Sequence, residues 1–175
     1  MGYMLSSLAQ LPIDDEVDLY IFVINGGWRG GSHEIIEQNF SKLAEEIGPR
    51  AVIAKGFNKS WSSDVSRKYL GKDHSELFGL LPALLITDTH PDQLTDQSMR
   101  LLIPLKDANA KFGNFDTFFD SLTKFAREKD TDFLEHFHEK EESEKSAWNM
   151  LELKPNIWGI GININEILER FSRSS

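Results

Sequence analysis

The run VDLYIFVIN, Val17 to Asn25, constrains the fold of this chain more than any other stretch. It is apolar and β-branched and leaves no helical gap, the pattern of a strand buried on both faces. Such a strand belongs in the middle of a sheet with a layer packed on each side. The residues after it narrow the choice. A glycine-rich turn, Gly26 to Gly31, contains Trp28 and Arg29 and leads into SHEIIEQNFSKLAEEIG. There Ile35, Ile36, Phe40, Leu43 and Ile47 share one helical face. Ser32 is the expected N-cap, Glu34 falls in the positive first turn, and Gly48-Pro49 stops the helix. AVIAKGF, Ala51 to Phe57, reads as a second strand, parallel to the first through the helical crossover.

SWSSDVSRKYLG, Ser60 to Gly71, reads as a short helix with serine caps before it and Gly71 after it. In LFGLLPALLITD, Pro82 cannot donate within a central strand, so the next strand is expected just after it, at Ala83 to Thr87. DTHPDQLTDQS has no apolar helical face and reads as a turn. It joins that strand as a hairpin to MRLLIPLKD, where Pro104 indicates an edge or a bulge. NFDTFFDSLTKFAREKD is an amphipathic helix capped by Asn114, with Phe115, Phe118, Phe119, Leu122 and Phe125 as its apolar face. The order is βαβα, then ββα. Beyond Lys129 the chain turns acidic in DTDFLEHFHEKEESEKSAWNM, helical in pattern. LKPNIWGIGININEILERF then offers a glycine-broken strand or turn and a small helix with Asn163 and Glu166 spaced as a capping box. These shifts divide the chain into an N-terminal segment 1–16, a core 17–129, and a C-terminal extension 130–175 packing on that core.

At 175 residues the chain suits one domain with some decoration. The formal net charge of -9 opposes a nucleic-acid role, because phosphate binding needs a concentrated positive face. No cysteine is present, which excludes disulfides, thiolate catalysis and cysteine metal sites. No apolar run approaches the roughly 20 residues that span a bilayer. MGYMLSSLAQLP lacks the basic start of a signal peptide. Gly2 and Ser6 fit the loose myristoylation pattern, although an ordinary chain start is the better reading of the same residues. The expectation is a cytoplasmic protein without cofactor, metal, membrane or nucleic-acid partner. Its oligomeric state is not encoded in any pattern found.

The order βαβα-ββα, a strand running into a tryptophan turn and long helix, and a proline directly before an apolar strand resemble the thioredoxin-like superfamily over roughly Val17 to Arg127. In that family the tryptophan is followed by Cys-x-x-Cys at the helix start. Here the turn reads Trp28-Arg29-Gly30-Gly31-Ser32, so Arg29 and Ser32 stand at the cysteine positions. Pro82 matches the family's cis-proline, which faces the turn, so the resemblance implies a cis Leu81–Pro82 bond. Thiol–disulfide exchange needs a thiolate, and neither a hydroxyl nor a guanidinium replaces it. The resemblance therefore implies a redox-inactive α/β protein with a thioredoxin-like βαβ-ββα core and a helical C-terminal extension. It implies a protein- or peptide-binding role at Trp28, Arg29, Ser32, Leu80, Leu81 and Pro82. Trp28 fits packing on the core as well as it fits anchoring a partner. The enzymatic alternative is a glutathione-transferase-like activity using Ser32 at the helix N-terminus, although such enzymes carry a larger helical domain than 128–175 can supply.

Other candidates are weaker. Gly26 to His33 imitates a P-loop, but Ser32 stands at the lysine position and His33 at the Ser/Thr position, so the phosphate and Mg²⁺ contacts are missing. Ser32-His33 lacks a third partner and a Gly-x-Ser-x-Gly elbow. In EHFHEKEE, His136 and His138 diverge by about 200° on a helix, unlike a zinc pair. His74 and His90 stand in expected loops with no partner evident from sequence.

Overall fold

The computed structural model describes residues 1–25, 31–58, 60–130 and 132–138, and of residues 31–33, 135, 137 and 138 the backbone alone. The fold is mixed α/β around a five-stranded sheet. Its strands are β1 (Gly2–Leu5), β2 (Leu19–Ile24), β3 (Ala51–Gly56), β4 (Ala83–Thr87) and β5 (Arg100–Pro104). They lie in the spatial order β1-β3-β2-β4-β5. β3 runs parallel to both β1 and β2, β4 is antiparallel to β2, and β5 is antiparallel to β4. The helices are α1 (Gly31–Glu46), α2 (Ser60–Val65), α3 (Leu105–Phe112), α4 (Phe115–Glu128) and α5 (Asp132–His138).

β2 is the middle strand and all six of its residues are buried. Alternate side chains of a strand point to opposite faces. Leu19, Ile21 and Val23 join the core cluster of Ile36, Phe40 and Leu43 from α1, Ile47 just after it, Phe118, Leu122 and Phe125 from α4, and Phe133 from α5. Tyr20, Phe22 and Ile24 join a second cluster with Leu5, Leu8, Trp61, Val65, Tyr69, Leu77 and Leu80. Two apolar layers on one strand explain the unbroken apolar run.

The second layer is built by α2, a wider π-type turn Ser66–Leu70, and a 3-10 segment His74–Leu80. Gly71 closes the π-type turn in the left-handed conformation at φ 62°, where glycine carries no steric penalty. The cap of α2 is Asn58, not a serine: its Oδ1 accepts from the Trp61 N–H at 3.1 Å and from Ser60 Oγ at 2.9 Å. Trp61 lies fully buried beside Phe22 and donates its indole N–H to the Val23 carbonyl at 2.9 Å.

Several expectations need correction. α1 is described from Gly31, so Ser32 stands within its first described turn. The strand of MRLLIPLKD ends at Pro104, and Leu105 opens α3, which the strand reading had absorbed. Pro104 thus closes an edge strand, where its missing N–H costs no ladder bond. The N-terminal residues supply β1, whose Gly2 passes so close to α1 that a β-carbon there would overlap the Ala44 methyl. The Gly2 of the myristoylation pattern therefore has a packing reason to be glycine. The expected elements after His138 lie outside the described residues.

Polar contacts tie the layers together. Asp18, just before β2, holds Arg50 at 2.7 Å and Lys129 at 2.5 Å, joining the start of β2 to the entry of β3 and the end of α4. Lys55 on β3 is almost fully buried, paired with Glu37 of α1 and placed 4.5 Å from the Phe40 ring centre.

The Tyr69 phenol gives a pH prediction. It is buried, donates to the Thr89 carbonyl at 3.0 Å, and has its pKa raised by burial first and then by Tyr20, Asp92 and Asp88 against the opposing Arg100. A phenol whose folded pKa is raised stabilises the fold fully below its unfolded value of about 10, and that contribution is lost as pH climbs toward the folded value. Lys129, whose pKa burial lowers, acts in the opposite sense below about 10.5. The comparison with Tyr69→Phe isolates the phenol. Urea titrations from pH 8 to 11 should show the variant about 1 kcal/mol less stable at pH 8, for the lost hydrogen bond, with a shallower decline above pH 10. Parallel declines would contradict this assignment.

Candidate functional site

The far ends of β2 and β3 and the beginning of β4 meet at one end of the sheet. Ile24 pairs with Ala83, so Asn25 and Pro82 follow one another across the strand ends. Asn25 is the last described residue before the glycine turn, and it is held from two sides. Its N–H donates to Ser62 Oγ of α2 at 3.0 Å. Its carbonyl lies 2.6 Å from His74 Nε2, which must therefore be the protonated ring nitrogen. The His74 ring packs edge-on against Phe78 at 5.7 Å. His74 is thus not without a partner: it joins the 3-10 segment to the end of β2.

The 3-10 segment is itself braced. The Asp73 N–H donates to Glu76 Oε1 at 2.8 Å, Asp73 pairs with Arg67 at 2.8 Å, and Glu76 lies 3.7 Å from Lys72. The reciprocal Asp73–Glu76 arrangement is a capping box, a signal present in the sequence as D-x-x-E. Leu77 and Leu80 turn into the core, and Phe78 between them is 46% exposed. Leu81 is extended, at φ -89° and ψ 151°, and half-buried. Its N–H reaches the Phe78 carbonyl at 3.4 Å. The Leu81–Pro82 bond is cis, as expected. The Pro82 carbonyl accepts from the Leu105 N–H at 3.0 Å, and Lys106 Nζ donates to the Gly79 carbonyl at 2.7 Å, so α3 anchors this segment from the other side.

Of the six expected binding residues, Leu80, Leu81 and Pro82 lie at this end of the sheet. Leu80 contributes mainly to the core, whereas Leu81 and Pro82 are half-exposed. Trp28 and Arg29 lie outside the described residues, and Ser32 is described by its backbone alone. The sequence reading missed Ser62, His74, Phe78 and Lys106. His74 and Phe78 are four apart in HSELF, but only the contact with Asn25 gives that spacing a purpose. Phe57 follows β3 and is 67% exposed.

This end of the sheet offers exposed aromatic rings, a half-exposed proline and extended main chain. These are the materials of a contact surface. Among the described residues no group of three or more histidine, aspartate or glutamate side chains is placed to hold a metal. His136 of EHFHEKEE lies against the Phe112 ring at 4.3 Å. His90, expected to be a free loop residue, is buried: its Nε2 lies 3.2 Å from the Leu11 carbonyl and its Nδ1 accepts from the Asp92 N–H at 3.2 Å. Nε2 ties the loop after β4 to the N-terminal segment, and Nδ1 caps the short 3-10 turn Pro91–Gln93 within that loop. No described helix is long and apolar enough to cross a membrane. Comparison of the chain with protein-family models, curated proteins and solved structures finds no match.

Proposed function

We propose that this chain is a redox-inactive, thioredoxin-like binding module of the cytoplasm that recognises a protein or peptide partner at the end of the sheet formed by the Trp28 turn and the Leu80–Pro82 segment. The observation that supports the reading is the pairing of β3 parallel to β2 and of β4 and β5 antiparallel, which fits the βαβ-ββα order the resemblance implies. The end of β2, at Asn25, and the proline before β4 share one end of the sheet. The absence of cysteine removes sulfur chemistry from that end and leaves its surface. Leu81 is extended and half-exposed, which suits main-chain pairing with a peptide. Tryptophan and arginine are frequent interface anchors, and truncating one often costs more than about 2 kcal/mol of binding.

The test is affinity capture from the native host with wild type and with a Trp28→Ala, Arg29→Glu double variant whose fold is verified by circular dichroism. A partner held by wild type should be lost from the folded double variant, a drop of about thirtyfold or more in affinity. Full retention would move the interface elsewhere.

A further inference from the structure

The two edges of the sheet are finished differently. β5 ends in Pro104, and all five of its residues are buried. β1 carries no proline and no charged side chain, and its Gly2 and Met4 are exposed, Met4 by 48%. The ladder from β1 to β3 uses alternate residues. The Met1 carbonyl accepts from the Ile53 N–H at 2.9 Å, and the Leu5 carbonyl from the Phe57 N–H at 3.0 Å. Met1, Tyr3 and Leu5 therefore turn their main-chain groups toward β3, and Gly2 and Met4 turn theirs outward. Among the described residues, no hydrogen bond takes up those outward groups. Natural sheets close such an edge with lysine, proline, a bulge or a covering segment. Two outward residues with one inward residue between them make this edge complementary to itself.

We propose that β1 pairs antiparallel with β1 of a second copy of this chain, with Tyr3 on the twofold axis. Gly2 of each copy then lies opposite Met4 of the other, and each such pair exchanges two N–H···O=C bonds. The two five-stranded sheets become one continuous sheet. The side chains permit this pairing. Tyr3, half-buried against the second core cluster, meets its counterpart across the axis as a cross-strand aromatic pair. On the other face Met4 has a bare glycine opposite it, and α1 presents Ala44 above Gly2 and the exposed Ser41 one turn earlier, both small. Glu37, on the same stripe of α1, is spent on Lys55. The edge offers no charge to select a foreign strand, whereas its own sequence supplies the glycine that the opposing methionine needs. Glu45 beside Ala44 is exposed on both copies, and each copy carries a formal charge of -9, so the dimer should tighten as salt screens them. The Leu80–Pro82 segment precedes β4 and takes no part, so this dimer stands or falls apart from the binding-module reading.

Sedimentation velocity of the full chain from about 1 to 300 μM tests the pairing. Wild type should pass from the mass of one chain to that of two across this range. Met4→Pro removes an outward N–H that β3 does not use, so the variant should keep its fold by circular dichroism and associate about tenfold more weakly or less. Met4→Lys leaves the main chain intact and puts a charge on the edge, and it should weaken association similarly; it decides the matter if the proline variant does not fold. A wild type that stays monomeric at the highest concentration overturns the proposal. So does a dimer that persists unweakened in the folded variants, because its interface then lies elsewhere.

Discussion

Gly56→Val should be among the most damaging single substitutions in the chain, lowering stability by about 3 kcal/mol or more. The β-carbon of any other residue at position 56 would overlap Cβ and Cγ of Trp61. Trp61 cannot retreat cheaply. It is 1% exposed, its indole N–H is committed to the Val23 carbonyl, and Phe22 lies against it. The strand cannot retreat either, because β3 pairs with β1 on one side and β2 on the other. Alanine should show most of the effect, since the conflict begins at the first carbon. Urea denaturation followed by tryptophan fluorescence measures it. A Gly56→Val protein within about 1 kcal/mol of wild type would mean that Trp61 does not sit as described.

Phe118→Ala should cost about 3–5 kcal/mol. Phe118 is completely buried in α4 and meets Phe112 of α3 at 5.3 Å, Phe119 at 5.2 Å and Phe133 of α5 at 6.0 Å. The ring is the common neighbour through which three helices pack on the sheet, so its removal leaves a cavity that no single helix can fill by shifting. For a domain of this size the loss corresponds to roughly 6–20 °C in melting temperature. Phe115→Ala, on the same helix but only partly buried, should lose distinctly less. Equal losses would contradict the described packing of α4.

The larger elements were legible in the sequence because burial and periodicity agreed there. β2 showed as an unbroken apolar run, and α1 and α4 showed as apolar stripes with recognisable ends. Pro82 marked the start of β4 through the donor it lacks, whereas Pro104 marked an edge strand without marking its end. The misses have physical reasons. β1 is four residues long, begins with glycine, and exists only because β3 offers an edge to pair with. α3 is eight residues long and follows Pro104 without a gap, so its apolar residues read as more strand. Ser32 looked like a cap because serine favours that role, yet the described helix already includes Gly31. At the candidate site, Leu81 and Pro82 could be found from one proline and one resemblance. His74, Ser62 and Lys106 could not, because each acts on a main-chain group distant in sequence, Asn25 or Gly79, and no local pattern encodes such a contact.

Restoring sulfur tests the central claim, that the end of β2 is a thioredoxin-type site kept without its chemistry. In the folded Arg29→Cys, Ser32→Cys variant, thiol titration before and after mild oxidation should fall from two thiols to none. The reduced protein should then reduce insulin disulfides, which wild type cannot do for want of a thiolate. A folded double variant that keeps two free thiols under oxidation and stays inactive would contradict the placement of residues 29 and 32 at such a site, and with it the proposed function.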